Sequence, residues 1–169
     1  MRSRIHEQFI KLVEKEISRQ LDIIRAGTGT GAAFAQELEW AGSPTQNLKD
    51  DDMALRNLPD IRHDPDSALY CSTQHYPCLI IEVSYSQDSK ELAQLADDYI
   101  LMSDGNIKVV IGIDISYESK PGKTHRGSFS VWYARFSTDD VSGDRELNAE
   151  AQIAYQVGPT FINHNHLHQ

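Results

Sequence analysis

Apolar positions recur at three- and four-residue spacing in two stretches of the chain and run together or alternate in several others. Ile5, Phe9, Leu12, Val13, Ile17, Leu21 and Ile24 trace one stripe along residues 5 to 25, which predicts an amphipathic helix. Leu92, Leu95, Ala96, Tyr99, Ile100 and Met102 trace another, with Ser86 or Asp88 as its cap. Just before it, Leu79, Ile80 and Ile81 form an unbroken apolar run opened by Pro77, which suits a strand covered on both faces. Ile107 to Ile115 reads the same way. Residues 77 to 115 therefore predict strand, helix, strand, with parallel pairing and a right-handed crossover.

The remaining signals are shorter. Ser67 to Cys71 predicts a strand beginning at Asp66, Ser128 to Phe136 a strand with partial alternation, and Ala151 to Val157 a last one. Residues 32 to 40 fit a strand or a short helix, and their period does not decide. Gly27, Gly29 and Gly31 end the first helix in a turn; no strand precedes them and no lysine and serine pair follows, as a phosphate loop requires. Gly42 to Asn57 is rich in Gly, Ser, Pro, Asn and Asp and reads as a surface loop, with Asp50, Asp51 and Asp52 solvated. Ser116 to Gly127 is a polar connection. Trp132 and Tyr133 belong either to the core or to an exposed dimer face.

These elements assemble into an α/β fold, a mixed central sheet flanked by helices, in a single domain over residues 1–169. Residues 159–169 form a mobile tail, where His164, His166 and His168 are set for adventitious metal binding at most. A composition of 40% hydrophobic and 24% charged residues suits an ordered domain of this length. The net charge of −9 repels nucleic acid and argues against a protein that coats it, but not against a nuclease whose carboxylates recruit a cation. Cys71 and Cys78 are the two cysteines and read as buried thiols. No apolar leader follows Met1 and no run reaches the length of a membrane span, so the expectation is an intracellular protein of nucleus or cytoplasm.

Chemistry enters with two carboxylates in apolar surroundings. Asp66 starts one strand and Glu82 lies near the end of the next, and a buried carboxylate is costly unless it is paired or holds a metal. Together they offer two hard oxygen ligands, with the Val83 carbonyl as a third, a set that suits Mg²⁺. Such an ion generates a nucleophile and offsets charge on a phosphodiester, and a nearby lysine would orient water and stabilise the transition state. On the first helix, Glu14 and Glu16 belong to a solvated face unless one of them leans toward this pair. The competing view makes Asp66 a strand-start residue and Glu82 an ion-paired or edge-exposed one.

Pro65-Asp66, the strand Ile81-Glu82-Val83-Ser84 and the amphipathic helix after it together resemble the PD-(D/E)XK nuclease superfamily, the restriction-endonuclease-like fold. The likeness spans residues 5 to 115, and Tyr76 to Gln87 is similar to fungal members and to the Uma2-like branch. The resemblance implies Mg²⁺, or Mn²⁺, held by Asp66, Glu82 and Val83. It also places a lysine two residues beyond the glutamate, where this chain has Ser84. Lys90, the one cation between Glu82 and Lys108, is the candidate for a migrated lysine or else an ordinary solvated residue, and Gln87 is the candidate to contact phosphate or water. The implied function is a metal-dependent phosphodiester hydrolase acting on DNA, with DNA and a second copy of the chain as candidate partners. The alternative is a catalytically inactive restriction-fold protein that serves interaction or assembly with an unknown protein partner.

Overall fold

The computed structural model describes residues 4–48, 61–72, 74–84, 89–116, 126–138, 143 and 145–157, and of residues 89, 90, 116, 126 and 152–157 the backbone alone. The tail from residue 159, its histidines and Asp50 to Asp52 lie outside the described residues, as do the caps expected at Ser86 or Asp88.

Helix α1, Arg4–Arg25, lays Ile10, Val13 and Ile17 on the sheet residues Ile81, Val83, Ile111 and Ile113. The expected stripe is rotated in the structure. Ile10, which it omitted, is buried, whereas Ile5, Leu12 and Ile24 are exposed. Neighbouring helical residues point about 100° apart, so a stripe that holds both Leu12 and Val13 is wider than the face the sheet covers. The helix ends where Ala26 and Gly27 bond back to the carbonyls of Asp22 and Ile24, and the Arg25 guanidinium ties that end to the Ala35 and Leu38 carbonyls, both at 2.8 Å. The glycine run is a turn as far as Gly29, and Gly31 lies in the helix that follows. Gly29, at φ 98°, precedes a short helix α2, Thr30–Gln36, and strand β1, Leu38–Gly42, follows directly. Residues 32 to 40 are thus helix and strand in succession.

The main sheet has six strands in the order β1-β4-β5-β6-β7-β8, with β4 Ser67–Cys71, β5 Leu79–Ser84, β6 Val109–Ser116, β7 Arg126–Thr138 and β8 Arg145–Val157. Helix α3, Ser89–Leu101, connects the one parallel pair, β5 and β6; the other neighbours are antiparallel. The sheet is therefore mixed and covered on both sides, by α1 and by α3. On the α3 side Leu92, Ala96, Tyr99 and Ile100 close over Ile80, Val110 and Trp132. Trp132 is buried there and contributes no dimer face; it fits because Gly112 has no Cβ, which would stand 2.7 Å from the indole. Strand β8 starts six residues before the expected Ala151 because β7 runs on to Thr138 and needs a partner along its length.

The segment read as a loop from Gly42 to Asn57 contains strand β2, Gln46–Leu48, which pairs with β3, Ile61–His63, in a separate two-stranded sheet. Leu48 is fully buried in the α3 core, so tertiary burial overrides the polar composition around it. Cys71 and Cys78 are buried free thiols in a cluster with Leu38 and Leu69. Burial, and then the neighbouring Cys71, push the Cys78 thiol up to about 11. Among the described residues no helix is long and apolar enough to cross a membrane.

Candidate carboxylate site

Strand β4 begins at Ser67, opposite Ile81. Asp66 and Pro65 precede the paired residues of β4, and Glu82 and Val83 follow Ile81 on β5. Proline has no N–H to give the ladder. The Val83 N–H donates instead to the Asp66 carboxylate, whose Oδ2 accepts it at 2.7 Å. An extended residue turns its N–H and C=O toward the same neighbouring strand, so the Val83 carbonyl also points to the Pro65 side, where proline has no donor for it. The Pro-Asp sequence thus precedes the ladder, and its carboxylate caps the adjoining strand at the Val83 N–H.

Asp66 is 8% exposed, and its Oδ1 lies 2.9 Å from Nε2 of His6 on the first turn of α1. Glu82 faces α3, where the Tyr99 hydroxyl donates to its Oε1 at 2.7 Å. Tyr99 is fully buried, and its ionisation is pushed well above the ordinary tyrosine range, by burial first, then by Glu82, and further by the charges of Asp66 and Asp64. One tyrosine hydroxyl therefore sits in the field of both candidate carboxylates.

Of the two α1 glutamates, Glu14 turns inward and accepts a short hydrogen bond from the hydroxyl of Ser67, the residue after Asp66. Glu16 faces solvent and holds Arg19 and Gln20. Ser84 stands two residues beyond Glu82 on the same strand face and has no charge to offer. Lys90 lies in the first turn of α3 but is described by its backbone alone, and Gln87 lies outside the described residues.

The register extends this polar character across the sheet. Glu82 is beside Gly112 and then Ser130, and Ser84 is beside Asp114 and then Ser128. Asp114 is 7% exposed, and its Oδ1 has no hydrogen-bond partner among the described residues. Burial raises its carboxyl above the usual aspartate range. Sequence reasoning passed over Asp114, His6, Tyr99 and the pair His63 and Asp98, whose side chains meet at 3.1 Å. Asp114 did carry a signal, the one already read at Glu82: a lone carboxylate in an apolar strand. The others reach the site from elements remote in sequence.

The donor chemistry of Asp66 and Glu82 fits Mg²⁺, which commonly takes one or two carboxylates and keeps several waters. Each carboxylate oxygen that already accepts one hydrogen bond retains a second lone pair. Among the described residues no group of three or more His, Cys, Asp and Glu side chains is placed to hold a metal. Compared with protein-family models, with curated proteins and with solved structures, the chain gives no match.

Proposed function

We propose that the protein is a Mg²⁺-dependent phosphodiester hydrolase acting on DNA, built on a restriction-endonuclease-like fold. The observation that carries this reading is the bond from the Val83 N–H of β5 to the carboxylate of Asp66, just before β4, which brings Asp66 next to Glu82 and the Val83 carbonyl. These three groups would hold the ion. When bound, it supplies charge neutralisation on the phosphodiester and a more acidic water. The chain's own residues set the geometry. His6 and the Val83 N–H fix Asp66, Tyr99 fixes Glu82, and Glu14 anchors the start of β4 through Ser67. In this reading Lys90 or Gln87 positions water and phosphate, in place of the cation that Ser84 cannot provide.

A second reading, an inactive interaction or assembly module, is favoured by a different observation. Both oxygens of Asp66 and one of Glu82 already have protein partners, so the pair is satisfied by the fold itself. Cleavage of single- and double-stranded DNA, and separately of RNA, with Mg²⁺ or Mn²⁺ decides between them. The hydrolase reading expects a loss of about 100-fold or more in Asp66→Ala and in Glu82→Ala, with both variants folded by circular dichroism. Equal activity in all three preparations sinks it, and an inactive parent favours the module.

A further inference from the structure

His63 ends β3 with its ring against Tyr99, the centroids 5.3 Å apart and the planes at 59°. Its Nε2 lies 3.1 Å from Oδ2 of Asp98, and the other oxygen of Asp98 accepts from Gln94 Nε2 at 3.1 Å, one turn earlier on α3. The carboxylate is thus held from two directions. A carboxylate at one ring nitrogen sets the tautomer and the ring plane of an imidazole and leaves the other nitrogen for proton transfer. Among the described residues no hydrogen bond reaches Nδ1 of His63, and the side chain is 21% exposed, open enough to meet water.

The position matters as much as the pairing. The tyrosine that packs on this ring is the one that donates to Glu82, so a single side chain separates the imidazole from the carboxylate pair. The titratable groups around the ring are Asp98 and Tyr99 on α3 and Asp64 beside it in the chain, with Glu82 and Asp66 beyond the tyrosine. The two-stranded sheet that carries His63 has other anchors: Leu48 on β2 is fully buried in the α3 core, and Gln46 bonds to the Tyr70 hydroxyl of β4 at 2.9 Å.

We propose that His63, oriented by Asp98, is the proton-transfer group of the carboxylate site and does the work that the cation missing at Ser84 would share. This rests on the hydrolase reading. As the attacking water forms its bond to phosphorus, it gives a proton to Nδ1 of His63. The bond from phosphorus to the leaving oxygen breaks with its electron pair on that oxygen. The imidazolium then returns its proton to the leaving oxygen, so charge and atoms balance. Asp98 is a positioning residue.

The test is the pH dependence of DNA cleavage with Mg²⁺ by the parent, His63→Ala, His63→Gln and Asp98→Asn, with Glu82→Ala as the control for the underlying reading. The parent should gain activity along a single limb as the pH rises. His63→Ala should lose roughly 100-fold and lose that limb, and added imidazole should recover about tenfold. Asp98→Asn should keep the limb and lose roughly tenfold, because the carboxylate that holds the tautomer and plane of the ring is gone. His63→Gln carries the comparison if the alanine variant does not fold. A His63 variant within about threefold of the parent with its limb intact, or a loss that imidazole leaves unchanged, overturns the role of His63 while an inactive Glu82→Ala keeps the hydrolase reading. A parent no more active than Glu82→Ala removes both.

Discussion

The sheet face under α3 is divided across its width into two regions that obey different rules. In the row Ile80, Val110 and Trp132 every side chain is buried and apolar, and α3 answers with Leu92, Ala96 and Ile100. One and two steps along the same strands the rows become Glu82, Gly112, Ser130 and then Ser84, Asp114, Ser128. Burial does not end at that boundary: Asp114 is 7% exposed, about as enclosed as Trp132 at 8%. The apolar row is what the hydrophobic effect alone would select. In the polar rows Gly112 and Asp114 are buried while Glu82, Ser84, Ser128 and Ser130 are partly exposed, so among these polar side chains it is Asp114 that opposes that preference in an equally covered place.

The largest effect should come from the apolar row. Ile80 is fully buried at its centre, and Ile80→Ala should cost roughly 3 to 4 kcal/mol of unfolding free energy by removing buried methyl groups and leaving a cavity. Urea unfolding followed by tryptophan fluorescence measures it. A loss under about 1 kcal/mol would mean that this row collapses readily and is not the anchor of the face. Gly112 lies on the boundary. Gly112→Ala would set a Cβ 2.7 Å from the Trp132 ring and 3.4 Å from Leu92, a rigid ring with little room to retreat. Overpacking there should cost about 1 to 3 kcal/mol in the same measurement. A neutral substitution would show that the indole is free to shift toward the polar rows, and the division would be softer than the register implies.

The same division explains which features were legible in the sequence. The stripe of α3 and the apolar runs of β5 and β6 are dictated by burial, so they were readable from period and composition alone. Strand β2 was not: Leu48 is one apolar residue in a polar stretch, and it becomes a strand residue because α3 and its neighbours have room to bury it. Helix α1 was placed correctly and its face in part: Phe9, Val13, Ile17 and Leu21 pack inward while Leu12 does not, since a sequence with apolar residues at both Leu12 and Val13 does not say which side the sheet takes. At the site, Asp66 and Glu82 stood out as carboxylates in apolar company, and the bond of Asp66 to the Val83 N–H sets Asp66 beside the strand that carries Glu82. Their partners His6 and Tyr99 arrive from α1 and α3, and the contact of His63 with Asp98 joins residues 35 positions apart. Local pattern has no access to such pairings. Tyr99 in particular reads as one more apolar member of its stripe, because its hydroxyl becomes relevant only when Glu82 is packed above it.

Asp114 provides the smallest effect and the finest probe of the division. Burial raises its carboxyl above the ordinary aspartate value, so the folded protein binds this proton more tightly than the unfolded chain does. Stability then falls as pH rises from the usual aspartate range, near about 3.9, through the raised folded value, and above both the penalty stays constant. Asp114→Asn has no proton to lose, so it should be the more stable form at pH 7 by about 1 kcal/mol and should lose that advantage as the pH drops below the carboxylate range. Urea midpoints of the two proteins at several pH values measure the difference. An advantage that did not change with pH would trace to packing rather than charge. A variant less stable than the parent at pH 7 would mean that the ionised carboxylate is held by a favourable partner, and the row Ser84, Asp114, Ser128 would then belong with the structural half of the face, leaving Glu82 as the point where the polar half begins.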